Sequence, residues 1–139
     1  MIMQYHDLLL SVMHFSLYFS VSLLFLVLFK YVYKFITPHD EWKLIKNEKN
    51  LAAAIGFGGA IIGYAIALSG AARNSVSFLD FATWAFVAFI AQTFAFALVR
   101  FGFMRSIIKR IEANEVSAGV MLATTSIAVG LLNASCMSY

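Results

Sequence analysis

The sequence predicts an all-α, polytopic membrane protein with four transmembrane helices, arranged as two tandem, parallel two-helix repeats. Three observations lead there. Of 139 residues, 62% are hydrophobic and 12% charged, with a mean hydropathy of +0.84; soluble domains carry about 25% charge. Four apolar runs are each long enough to cross hydrocarbon. The order aromatic span, charged loop, small-residue span occurs twice. A single membrane domain over 1–139 is expected, with repeat one at about 8–72 and repeat two at about 77–139, leaving no room for a separate soluble domain.

The first span is predicted at Leu8–Phe29, about 33 Å long at the helical rise per residue. It is bulky, with Phe15, Tyr18, Phe19, Phe25 and Phe29, and it carries Ser11, Ser16, Ser20 and Ser22. Such serines bond back to the carbonyl four residues earlier and need no further role. Lys30, Tyr31, Tyr33 and Lys34 mark its interfacial end. The first basic residue is Lys30, after the apolar run, so a retained span is expected and not a cleaved signal. Thr37 or Asp40 is positioned to cap a short helix running through Lys49, with Pro38 just ahead of it. Trp42, Leu44 and Ile45 against Lys43, Lys46 and Lys49 give that helix an interfacial, amphipathic character.

The second span, Leu51–Ala72, is uncharged and rich in small residues. Gly59 with Gly63, and Gly56 with Ala60, have the small-xxx-small spacing that lets another helix approach closely. After the turn Arg73-Asn74-Ser75, the third span is predicted at Phe78–Val99, crowded with Phe and ended by Arg100 and Arg105. The fourth, Val116–Met137, contains no aromatic residue and carries Gly119, Ala123, Gly130 and Ala134. Thirteen of fourteen Phe lie outside the second span, so spans two and four are expected to form the inner pair, with spans one and three buttressing them and meeting lipid. A bundle this thin is expected to continue its packing across a subunit boundary as a homo-oligomer.

A shift of 67 positions sets Gly63 on Gly130, Ala67 on Ala134, and Asn47-Glu48 on Asn114-Glu115. Each unit has two spans, so both copies cross in the same sense, unlike the inverted repeats of alternating-access carriers. Nine of the ten Lys and Arg lie in Lys30–Lys49 and Arg100–Arg110, on one side of the membrane. The positive-inside rule puts that side in the cytoplasm and both termini outside. This topology accounts for the net charge of +3, so nucleic acid is not an expected partner.

Cys136 is the single cysteine, which excludes an intrachain disulfide and cysteine metal clusters. His6, Asp7 and His14 lack a helix-compatible ligand spacing, and His14 is read as a neutral interfacial histidine. Asp80 is read as a helix cap or a partner of Arg73. No HExxH, GxSxG or phosphate-loop pattern is present. No enzyme activity, cofactor or metal is therefore expected. The polar residues within spans are Gln92, Asn133 and the consecutive hydroxyls Thr124, Thr125 and Ser126. They have two readings, helix association or the lining of a pore. Glu48 and Glu115, matched by the shift, stand at the charged entrances of spans two and four. They suit the exposed N–H groups of a helix start or a paired cation site.

Three stretches together are similar to the DUF350 family, the YjfL-like inner-membrane proteins: Thr37-Pro38-His39-Asp40-Glu41-Trp42 through Asn50-Leu51-Ala52-Ala53-Ala54, Asp80-Phe81-Ala82-Thr83-Trp84, and Glu115-Val116-Ser117-Ala118-Gly119 through Gly130-Leu131-Leu132-Asn133-Ala134. The resemblance implies a bacterial inner-membrane protein of four spans, built from two copies of a hairpin domain. Some members are encoded near envelope-stress proteins and glutathionylspermidine-synthase-like ligases, which implies a membrane or stress-response protein partner. It transfers no catalytic residue. Two functions stay open: an interaction or envelope-stress-related membrane component, and a small channel or transporter with a pore lined by the fourth helix.

Overall fold

The computed structural model describes residues 1–37 and 40–137. Pro38, His39, Ser138 and Tyr139 lie outside them, and with them the expected helix-starting role of Pro38 and the end of repeat two. The described chain holds α1 (Ile2–Ile36), α2 (Glu41–Lys46), α3 (Leu51–Asn74), α4 (Phe78–Leu98), α5 (Ile107–Glu112) and α6 (Val116–Ser135). Helices α1, α3, α4 and α6 are each long and apolar enough to cross a membrane. The predicted all-α, four-span architecture is therefore present; α1 and α3 run past their expected ends, while α4 and α6 stop at Leu98 and Ser135, short of the expected Val99 and Met137.

Helix α1 has 35 residues, about 52 Å against roughly 30 Å of hydrocarbon. Nothing in its sequence stops it before Thr37, so it runs past both edges of the expected Leu8–Phe29. The hydroxyls of Ser11, Ser16 and Ser22 donate to the carbonyls of Asp7, Val12 and Tyr18, 2.7–2.9 Å away. Helix α2 is capped by Asp40, whose carboxylate accepts from the Lys43 amide at 3.2 Å. It ends at Lys46, short of the expected Lys49, because Lys49 turns into the left-handed region at φ 51. Thr37 instead donates its hydroxyl to the Tyr33 carbonyl, 2.9 Å away.

Helix α4 begins with Ser77 and Asp80 serving each other's turn. The Asp80 amide donates to Ser77 Oγ at 3.2 Å, and Asp80 Oδ2 accepts from the Val76 amide at 2.9 Å. That is the capping role. At the other end α4 widens into a π-helical turn over Val99–Phe103, where the Met104 amide reaches the Val99 carbonyl at 2.7 Å.

Helix α3 is the most enclosed span. In its most apolar window 56% of residues are buried, against 39% in α6, 33% in α4 and 6% in α1. It packs directly on α6, on α4 and on the lower half of α1. The ring of Phe29 stacks on Tyr64 at 4.8 Å and meets Phe89 edge-on at 5.6 Å, joining α1, α3 and α4. Tyr33 closes the same cluster against Phe57 and Phe96. The Tyr64 hydroxyl, fully buried, donates to the Ala85 carbonyl at 3.0 Å. Above this cluster the first half of α1 stands almost free of the bundle, with Leu8, Leu9, Val12, Met13 and Phe15 exposed.

Candidate functional site

The closest packing in the molecule is the seam between α3 and α6. The two helices run parallel. Ala52 faces Gly119, Gly59 faces Ala123, Gly63 faces Ser126 and Gly130, and Gly70 faces Ala134. At Gly59, Gly63, Gly119 and Gly130 an added Cβ would fall on the backbone across the seam. Gly56 is looser and meets the side chain of Leu122 at 3.0 Å. Ala60 is buried in the adjoining core. The small residues thus serve a contact within one chain, backbone against backbone, which bulkier side chains would hold apart.

Gln92 of α4 lies over the middle of this seam. It is 2% exposed, and its Nε2 donates to the Ser126 carbonyl at 2.8 Å. Its Oε1 is buried without a hydrogen-bond partner among the described residues. Asn133 reaches back from α6 to the Ala88 carbonyl at 3.0 Å. These amides join α4 to α6 from both sides.

The hydroxyl run of α6 does not share one wall. Thr124 is exposed on the outer face and bonds back to the carbonyls of Val120 at 2.9 Å and Met121 at 3.1 Å. Thr125 turns toward the Met121 sulfur, 3.9 Å away. Ser126 is buried at the seam. Consecutive helical residues point about 100° apart, so three in a row cannot line a single path.

At the basic end two connectors bind each other. Asn50 caps α3, its Oδ1 accepting from the Ala53 amide at 2.9 Å, while its Nδ2 donates to the Ile111 carbonyl at 2.6 Å. From the other connector, Asn114 Oδ1 accepts from the Ala52 amide at 3.0 Å. Asn114 takes a left-handed backbone at φ 59, as Lys49 does. Glu48 and Glu115 are not equivalent in this arrangement. Glu115 is the residue before α6 and pairs with Arg110 at 3.7 Å. The residue in that place before α3 is Asn50, and Glu48 is an exposed residue two positions earlier.

The reason is a change of register along the chain. The end of α1 at Ile36 and the end of the π turn at Phe103 keep the 67-residue shift. The α3 and α6 starts, Leu51 and Val116, are two residues closer. The second connector is shorter by that amount.

His6, Asp7 and His14 are exposed along α1. No group of three or more His, Cys, Asp or Glu is placed to hold a metal among the described residues. Cys136 is exposed at the end of α6. Sequence reasoning missed Asn50 and the Phe29–Tyr64–Phe89 cluster. The signal for Asn50 was its place directly before a 22-residue uncharged run, a capping position. The aromatic cluster joins three spans and has no local signature.

The family described as Domain of Unknown Function (DUF350) matches residues 7–137. The chain is 40% identical over 129 residues to the UPF0719 inner membrane protein YjfL of Escherichia coli strain K12, covering 93% of this chain and 96% of that protein. The same figures hold for YjfL of Escherichia coli O157:H7. It is 28% identical over 119 residues to the UPF0719 transmembrane protein YshE of Bacillus subtilis strain 168, covering 85% and 88%. No solved structure matches. A match over nearly the full length, together with four apolar helices, places the chain as a small multi-pass protein of the bacterial inner membrane that belongs to the DUF350 family.

Proposed function

We propose that this protein is a structural component of the inner membrane that assembles as a homo-oligomer and offers a surface to a membrane or stress-response protein partner. The observation that carries this reading is the closed seam. Backbone meets backbone at Gly59–Ala123 and Gly63–Gly130, and the Gln92 amide is seated on the Ser126 carbonyl above it. The small residues and interior amides are used up in holding one subunit together. The surface available to other subunits is then the outer half of α1 and the outer face of α6, where Val120, Met121 and Leu131 are exposed.

Three further features belong to this reading. The two hairpins are tandem, parallel repeats. The support is the matching order long helix, short helix, left-handed residue, long helix in each half, with Lys49 and Asn114 in the same place. The basic connectors face the cytoplasm and both termini face outward. Glu115 and Glu48 serve the connectors and do not form a paired cation site. The Arg110 partner of Glu115 supports this.

The single cysteine makes the test direct. Cys136 is labelled with a dye, the protein is placed in nanodiscs, and bleaching steps are counted. Two or more steps per disc are expected, and one step at every concentration refutes the oligomer. A membrane-impermeant maleimide should label Cys136 from outside intact spheroplasts. Labelling only after lysis reverses the proposed orientation.

One observation favours the runner-up, a pore along an oligomer axis: the Thr124 hydroxyl is exposed on the face that a neighbouring subunit would meet. Ion flux into liposomes decides it. Equal, background flux for wild type and Thr124→Val supports the structural role. Wild-type flux above background that Thr124→Val changes supports the pore.

A further inference from the structure

We propose that the angle between α1 and α2 is a binding site for the phosphate of an anionic phospholipid, in the leaflet at the basic end of the bundle. Three elements converge there. A cleft of about 100 Å³ is walled by Lys30, Tyr31 and Lys34 of α1, by Asp40, by Glu41 and Trp42 of α2, and by Phe57 of α3. It opens beside a shallower depression that shares Lys34 and Trp42 and adds Lys43 and Lys46. Four lysines therefore surround one tryptophan at the end of a membrane span.

Of the four lysines, Lys34 alone pairs with a carboxylate among the described residues, Asp40 at 3.9 Å. Lys30 Nζ sits 3.9 Å from the centre of the Trp42 ring, and Lys46 Nζ lies 5.8 Å from it on the same residue. An ammonium held on an aromatic face is fixed in place while its charge stays uncompensated. Lys30 has no ion pair with a carboxylate among the described residues. Two acids share the neighbourhood. Asp40 is engaged by the Lys43 amide at 3.2 Å and by Lys34 Nζ at 3.9 Å. Glu41 is 4% exposed and also lines the cleft. The cleft's two lysines match its two carboxylates, and Lys43 and Lys46 of the adjoining depression give the combined mouth an excess of positive charge.

The walls decide between a lipid and a soluble anion. Tyr31 and Trp42 are exposed apolar surfaces beside the lysines, and Phe57 backs the cleft. Aromatic and lysine side chains in this pairing anchor at the level of lipid headgroups. A phosphodiester would lie among the ammonium groups while its acyl chains ran along α1. Basic pockets between spans recognise anionic headgroups in this way. The second connector is built differently. Arg100, Arg105 and Lys109 border a depression with Ser106 and Ile108, and its one cation–aromatic contact among the described residues, Arg100 over Phe101 at 5.3 Å, involves a ring that does not line that depression.

Trp42 and Trp84 are the two tryptophans, so Trp84→Phe leaves Trp42 as the reporter. The full chain is placed in phosphatidylcholine vesicles containing brominated phosphatidylglycerol or brominated phosphatidylcholine, and bromine quenching of Trp42 is measured. Half-maximal quenching is expected at about fivefold lower mole fraction of the anionic lipid. Lys34→Gln, at a largely exposed side chain, should lower that preference several-fold, and Lys30→Gln with Lys34→Gln should abolish it. Arg105→Gln with Lys109→Gln removes the same charge and should leave the preference unchanged. Equal quenching by the two lipids, a comparison that needs no lysine variant, overturns the proposal. So does an equal loss from both double variants, which would mean a diffuse surface charge. Relief of quenching by millimolar inorganic phosphate at matched ionic strength overturns the lipid assignment in favour of a soluble anion.

Discussion

Replacing Gly63 with alanine tests the seam at its tightest point. The new Cβ falls on the Ser126 carbonyl, 2.8 Å from that carbonyl carbon and 2.6 Å from Gln92 Nε2. Ordinary contact begins at 3.4 Å. Neither backbone can turn aside, so the helices must part by about 1 Å, which forfeits a quarter to a half of each dispersion contact along the seam. Adding the usual cost of overpacking gives a destabilisation of about 2–4 kcal/mol. Gly58 is the internal control. It lies on the same helix, and a Cβ there meets no heavy atom within 4 Å. Gly58→Ala should be neutral or stabilise by up to about 1 kcal/mol, since alanine is the better helix former. Both variants are compared with wild type by SDS titration in mixed micelles, following tryptophan fluorescence. Gly63→Ala and Gly130→Ala combined should cost less than their sum, because the first already opens the gap that the second needs. If Gly63→Ala unfolds within about 0.5 kcal/mol of Gly58→Ala, the backbone seam described here is wrong.

Four other outcomes follow by the same measurement. Asn50→Ala removes the cap of α3 and the bond to the Ile111 carbonyl, and should cost about 2–3 kcal/mol. Lys49→Gly should stabilise by about 0.5–1 kcal/mol, because glycine accepts the left-handed backbone that lysine resists. Asn114→Gly meets the same backbone need but loses the acceptor for the Ala52 amide, so it should destabilise by about 1 kcal/mol. Gln92→Met removes one interhelical bond and also an unpartnered buried oxygen. Those effects oppose each other, and the change should stay under about 1 kcal/mol.

The four spans were legible because each is a long apolar run whose signal needs no knowledge of neighbours. The seam was half legible. Gly59, Gly63, Gly119 and Gly130 announce close packing, but that Gly63 meets Ser126 and Gly130 depends on how two distant helices align. The bond from Asn50 to Ile111 joins residues 61 positions apart and has no local trace. The scatter of Thr124, Thr125 and Ser126 around α6 was readable in principle from helical periodicity. Their adjacency in the sequence obscured it. The two-residue change of register between the halves was invisible to a single shift, which is how Glu48 came to be set opposite Glu115.

The seam also imposes an order on the chain's manufacture. The glycine face of α3 is finished before α4, and the helix that fills it, α6, is made only after α4 and its connector. While α4 and its connector are being threaded into the bilayer, lipid occupies the groove at Gly59 and Gly63. Lipid must leave before the backbones can touch. A ribosome that stops anywhere before Val116 releases a chain with that groove bare, and the complementary surface nearest to hand is then the same groove on another unfinished copy.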